Sequence, residues 1–126
     1  MDYKELQPIS RTDAEFALAH ESIETIADAL VRLSFFDSDW RWVQDVCLEF
    51  AEHSEPKVSA VAATCLGHLA RIHGTLDTEK IVPLLMKLHK NPAIAGWIED
   101  AMDDLRMYLP DDEKVSQFPR RTPESE

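Results

Sequence analysis

The sequence predicts an all-α protein, with about six helices folded as three antiparallel helical hairpins that stack into an α-solenoid. Three observations predict it. Apolar residues recur at intervals of three and four along six successive segments, the helical period. The connectors between those segments are short, which forces neighbouring helices to run antiparallel. The second helices of the last two hairpins also align on each other at an offset of 36 residues, since Pro56 meets Pro92 (92 minus 56).

Residues 1–10 read as an N-terminal arm from which Tyr3, Leu6 and Ile9 tuck against the first helices. Thr12 and Glu15 have the spacing of a capping box, and the first helix runs from there through Phe16 and Leu18 to about His20. The second follows from Ser22 to about Phe35, with Ile23, Ile26, Ala27, Leu30 and Leu33 or Ser34 as its apolar stripe. Asp37, Ser38 and Asp39 form a turn and cap the third helix, Trp40 to about His53. That helix is apolar on two sides, so it is covered on two sides. Arg41, Gln44, Asp45, Glu49 and Glu52 are its expected solvent face.

The fourth helix lies between Ser54, an expected N-cap, and Gly74, a residue suited to the left-handed end of a helix. Pro56 sits in its first turn, where a missing N–H costs nothing. Val58, Ala62, Cys65, Leu69 and Ile72 make its stripe, and Ala60, Ala63, Gly67 and Ala70 are small enough for close neighbours. The fifth helix spans about Thr78 to Lys90. Pro83 predicts either a kink within it or a start of regular helix near Val82. The sixth runs from about Ala93 to Leu109 and stops at Pro110. One helical domain over 1–110 and a mobile, acidic, proline-containing tail over 111–126 are therefore expected.

The 36-residue offset pairs Val58 with Ile94, Ala62 with Ile98, Leu66 with Met102, and Leu69 with Leu105. Each pair preserves a core role. A period in this range, built from helix–turn–helix units, points to a solenoid; the alternative is a six-helix bundle whose periodicity is accidental.

Charge and composition narrow the function. The chain has 126 residues, a hydrophobic fraction of 44%, 24 acidic residues against 13 basic ones, and a net charge of -11. That balance disfavours nucleic acid and anionic membrane surfaces, both of which need Lys and Arg. It favours a basic protein partner, or merely solubility. No apolar run is long enough for a bilayer, and the N-terminus shows no signal-peptide pattern. Cys47 and Cys65 both lie in apolar stripes and read as reduced core residues, so a cytoplasmic setting is expected.

Catalytic patterns are lacking. There is no Gly-x-Ser-x-Gly elbow, and three glycines leave no phosphate loop. Of the histidines, His68 and His73 fall about 140° apart on a helix. No His-Glu-x-x-His or paired Cys-x-x-Cys occurs, so neither a metal nor a cofactor is expected. An enzyme acting on DNA bases would need a basic surface. The one concentrated feature is acidic: Glu99, Asp100, Asp103 and Asp104 crowd one stretch of the sixth helix. Like charges one turn apart repel, which a cationic partner would offset; a solvated face is the simpler account. At the repeat offset Asp100 aligns with Thr64 and Asp104 with His68, and Arg71 lies one turn beyond. Trp97, one turn before Asp100, is either an aromatic anchor or a core residue. These eight residues are the candidate partner-binding set.

Two resemblances extend this reading. Ser54-Glu-Pro-Lys-Val58 with Ala62, Ala63, Leu66, Gly67 and Leu69 resembles the turn and second helix of HEAT repeats. Ile81-Val-Pro-Leu-Leu-Met-Lys-Leu88 followed by Asn91-Pro92 resembles their kinked first helix and turn. The likeness covers residues 38–109 and departs from the pattern at Gly96 and Trp97. It implies a fold rather than an activity. More narrowly, Cys65-Leu-Gly-His-Leu-Ala-Arg-Ile-His-Gly-Thr-Leu-Asp77 with Gly96-Trp-Ile-Glu-Asp-Ala-Met-Asp-Asp-Leu105 is similar to small bacterial HEAT-like proteins, some of which neutralise toxins. That similarity implies a non-catalytic immunity protein covering the basic groove of a nuclease-type toxin. The rival expectations are an adaptor or scaffold for an endogenous partner, and a small enzyme or ligand carrier.

Overall fold

The computed structural model describes residues 5–20 and 22–119. Tyr3 and the end of the expected tail, residues 120–126, lie outside the described residues. Six α-helices follow in order: α1 (Arg11–Leu18), α2 (Ile23–Phe36), α3 (Trp40–Ala51), α4 (Pro56–His73), α5 (Thr78–Leu88) and α6 (Ala95–Tyr108). A short 3-10 turn, Val115–Gln117, comes last. No strand occurs among the described residues. The predicted all-α architecture of three helical hairpins is what the chain adopts.

The second helices of the hairpins form one layer. In it α4 packs between α2 and α6, while α3 lies behind α4, α1 against α2 and α5 against α6. All four apolar pairs of the repeat are buried: Val58 with Ile94, Ala62 with Ile98, Leu66 with Met102 and Leu69 with Leu105. A large aliphatic side chain taken fully out of water contributes about 1.5–3 kcal/mol, so these rows dominate the cohesion between layers. The small residues of α4 have the role expected of them. Ala60, Ala62, Ala63, Gly67 and Ala70 are all buried beneath neighbouring helices.

Two helix caps differ from expectation, and one open alternative is decided. Ser10, not Thr12, caps α1, its oxygen accepting from the Asp13 N–H at 3.0 Å; Thr12 lies inside the helix. Glu55 rather than Ser54 is the N-cap of α4, with no side-chain cap bond, because Pro56 already occupies the first turn and one N–H fewer needs a partner. Pro83 lies within α5, which is helical from Thr78 onward, so regular helix does not wait for Val82. Gly74 closes α4 as expected, at φ 68°.

Polar bonds tie the hairpins together. Gln44, expected to face water, is buried, and its Oε1 accepts from the Asp77 N–H at 2.7 Å. It anchors the α4–α5 connector to α3. Thr78 Oγ1 donates to Asp112 Oδ2 at 2.8 Å, and Arg106 donates to the Pro119 carbonyl at 2.6 Å. These bonds hold residues 111–119 against α5 and α6. Val115 and Phe118 from that stretch are buried, so the first part of the expected tail is packed. Every buried side-chain polar atom among the described residues has a hydrogen-bond partner.

Candidate functional site

The side of the α2–α4–α6 layer away from α1, α3 and α5 carries most of the candidate residues. Its centre is α4. Thr64 and His68 are part-buried there, and Arg71 is exposed one turn on. Thr64 Oγ1 donates back to the Ala60 carbonyl at 3.0 Å, so its polarity is spent within its own helix. His68 is held from α2: Ser34 Oγ lies 3.4 Å from its Nδ1, and the Phe35 ring lies across it at 4.7 Å between centroids. The Arg71 guanidinium sits 5.6 Å from the same Phe35 ring, within cation–π range.

From α6, Asp104 comes down onto α4. A Cβ added to Gly67 would lie 2.5 Å from Asp104 Oδ2 and 3.1 Å from its Cβ. The glycine is thus what admits this carboxylate against the α4 backbone. Burial raises the Asp104 carboxyl above its ordinary value; the charges of His68 and Arg71 pull it down, and those of Asp100 and Asp103 push it up. Asp100 is exposed one turn away, and Trp97, one turn further, is 55% exposed. Trp97 is therefore a surface residue, and its core alternative is set aside. The face presents Trp97, Asp100 and Asp104 on α6 beside Thr64, His68 and Arg71 on α4.

Glu99 and Asp103 bond elsewhere. Glu99 Oε2 pairs with His89 Nε2 at 2.9 Å, joining α6 to the end of α5. Asp103 pairs with Arg106 at 2.6 Å, and Arg106 also reaches the segment around Phe118 and Pro119. The four carboxylates span about 140° of the helix, with Glu99 at one edge and Asp104 at the other. Sequence reasoning missed Phe35, which organises His68 together with Ser34, and the exposure of the apolar side chains at the last turns of the layer: Phe36, Ile72, which was expected in the buried stripe of α4 and is 40% exposed, and Tyr108. A signal existed for the latter two: Ile72 and Tyr108 are 36 residues apart, the repeat offset.

Cys47 and Cys65 lie buried beneath the face. Cys65 is held below the ordinary thiol range, at about 6, chiefly by a hydrogen bond with Cys47 and further by His68 and Ser34, with burial opposing. Cys47 moves the opposite way, raised by the hydrogen bond with Cys65 and by burial. Neither sulfur is open to solvent, and a buried pair of this kind presents no accessible nucleophile. No cluster of three or more metal-ligating side chains is found among the described residues. No helix among them is long and apolar enough to cross a membrane.

No protein-family model matches the chain, HEAT models included, and no curated protein is significantly similar to it. A solved structure is similar: a chain of a CDI complex from Cupriavidus taiwanensis, 32% identical, with a TM-score of 0.75. The match covers 86% of this chain and 97% of that one. Identity at that level over nearly the whole partner sequence goes beyond likeness of fold, and the chain belongs to the protein family of that CDI-complex chain.

Proposed function

We propose that this protein is an immunity protein, which binds a toxin and neutralises it by covering its active or substrate-binding surface. The observation that carries the reading is the family membership, because contact-dependent inhibition pairs a toxin with its immunity protein. The binding surface on this reading is the α4–α6 face with Trp97 and Asp100 at its centre. An exposed tryptophan beside a carboxylate is the composition of an interface anchor. Occlusion by stoichiometric binding needs no catalytic group. The net charge of -11 favours a basic toxin, such as a nuclease whose groove is lined for phosphate. Opposite charges would speed capture and make it salt-sensitive.

The test begins with the immobilised protein, source-cell lysate and a rising salt gradient. A single stoichiometric basic protein should elute, and it should lose its toxicity when the purified protein is added back. In that assay Trp97→Ala should weaken binding by about 2 kcal/mol, roughly 30-fold. Asp100→Lys should act mainly on the on-rate, and less at high salt. Full protection by a folded Trp97→Ala/Asp100→Lys double variant would remove this face from the interface.

A further inference from the structure

A groove of about 450 Å³ lies between α5 and the C-terminal segment, and it shares no residue with the α4–α6 face. Its floor is apolar, formed by Val82, Pro83, Met86 and Pro119. Lys87, Lys90 and Lys114 stand around it. No carboxylate lines it, in a chain with 24 acidic residues against 13 basic ones. The local charge is thus the reverse of the molecule's.

Part of this has a structural account. Lys87 is in the last turn of α5, where a cation suits the helix dipole, and its Nζ pairs with Glu52 at 2.7 Å. The account does not extend to the other two. Lys90 lies past the helix end and Lys114 comes from a different element, before the 3-10 turn. Neither is in an ion pair within 4 Å among the described residues. Two cations from separate segments converge on one apolar floor, with no carboxylate among its lining residues.

We propose that this groove is a second docking site, whose occupant is a short acidic segment of a partner polypeptide carrying apolar side chains between its carboxylates. Three features select that chemistry. The lysines are separate point charges, suited to carboxylates spaced along a strand. The floor of Val82, Pro83 and Met86 rewards apolar side chains, which a phosphodiester backbone lacks. No Phe, Tyr or Trp lines the groove to stack a base, and the one ring that does line it, His89, is held by Glu99 at 2.9 Å. The long-range field of a chain at -11 repels polyanions, so an occupant must gain its affinity at short range, through the floor and the adjacent lysines. Because the two sites share no residue, a protein bound at the α4–α6 face leaves this groove open, and a ternary complex follows.

The test uses the full chain and a fluorescein-labelled dodecapeptide of alternating Glu and Leu, followed by fluorescence anisotropy. Saturable binding in the micromolar range is expected, weakening as salt rises. Lys90→Glu with Lys114→Glu should weaken it by about tenfold or more, and Met86→Ser by a smaller factor. Trp97→Ala, which keeps the net charge, should leave it unchanged, which separates this site from the toxin-binding face. The proposal is overturned if no saturable binding occurs below about 1 mM, or if the double Lys→Glu variant, folded by circular dichroism, binds as well as the parent. It is equally overturned if an oligothymidylate displaces the peptide at equal concentration, since the groove would then read charge alone.

Discussion

Helices α4 and α6 occupy equivalent places in successive hairpins, and they are alike only where they face inward. At the core positions each carries an apolar side chain that is fully buried or nearly so. On the outward face the same offset sets Thr64 against Asp100 and His68 against Asp104. A stacked repeat constrains the residues that fill the space between its layers. It leaves the remaining face free to diverge, and there the two helices have become complementary. Asp104 from one descends beside His68 and Arg71 of the other. The architecture is therefore repeated while the candidate binding surface is built from what is not repeated.

The equivalence of the cores is the part with the largest expected effect. Leu69 and Leu105 are aligned and both have no exposed surface. Leu→Ala at either should cost about 2–5 kcal/mol, read as a shift in the urea midpoint at constant slope. The comparison predicts similar losses. A much smaller loss for Leu105→Ala would mean that the last hairpin opens independently and that the repeat is not one cooperative unit.

The divergence has a structural requirement at Gly67. Substituting alanine gains about 1 kcal/mol of helix propensity. Against that, the new Cβ would meet Asp104 Oδ2 at 2.5 Å and its Cβ at 3.1 Å. The carboxylate end can swing aside, but the Asp104 Cβ moves only with α6. Gly67→Ala should therefore cost a net amount of about 1–2 kcal/mol, as overpacking does. Combining it with Asp104→Gly should recover part of the loss, which a double-mutant cycle measures directly. If Gly67→Ala is stabilising, the helices do not approach as closely as this contact requires.

Much of the architecture was legible in the sequence for a plain reason. Helical period, short connectors and a repeat offset are properties of the apolar residues, and their burial follows from hydrophobicity alone. What was not legible depended on partners distant in sequence. Gln44 looks like a solvent residue by type, and only the Asp77 N–H makes it a buried tie. The four carboxylates of α6 look like one acidic patch when read along the chain. The helix turns by about 100° per residue, so adjacent members point in different directions. His89 and Arg106 then engage Glu99 and Asp103. Phe35 escaped notice, and Ser34 read only as a stripe position, because the 36-residue alignment begins only in the second hairpin. Thr12 lost to Ser10 as a cap because two acceptable cap residues lay two apart, and local pattern does not choose between them.

The smallest effect tests the electrostatics where the two helices meet. Asp104 is held above the ordinary aspartate value, so the folded chain binds that proton more tightly than the unfolded chain does. Stability from this group consequently falls as pH rises through the folded value, and at neutral pH the ionised carboxylate is a net penalty. Asp104→Asn removes that penalty while keeping the shape. The variant should be more stable than the parent at pH 7, by less than about 1 kcal/mol because the side chain is only partly buried and solvent screens its charge. Its advantage should shrink as pH drops and vanish below about pH 3.9, where the carboxyl is protonated in both states. Denaturation of both chains between neutral and acid pH reads the difference. If Asp104→Asn is instead the less stable at pH 7, attraction to His68 and Arg71 outweighs burial. The divergent face would then contribute to holding α6 on α4 as well as to meeting a partner.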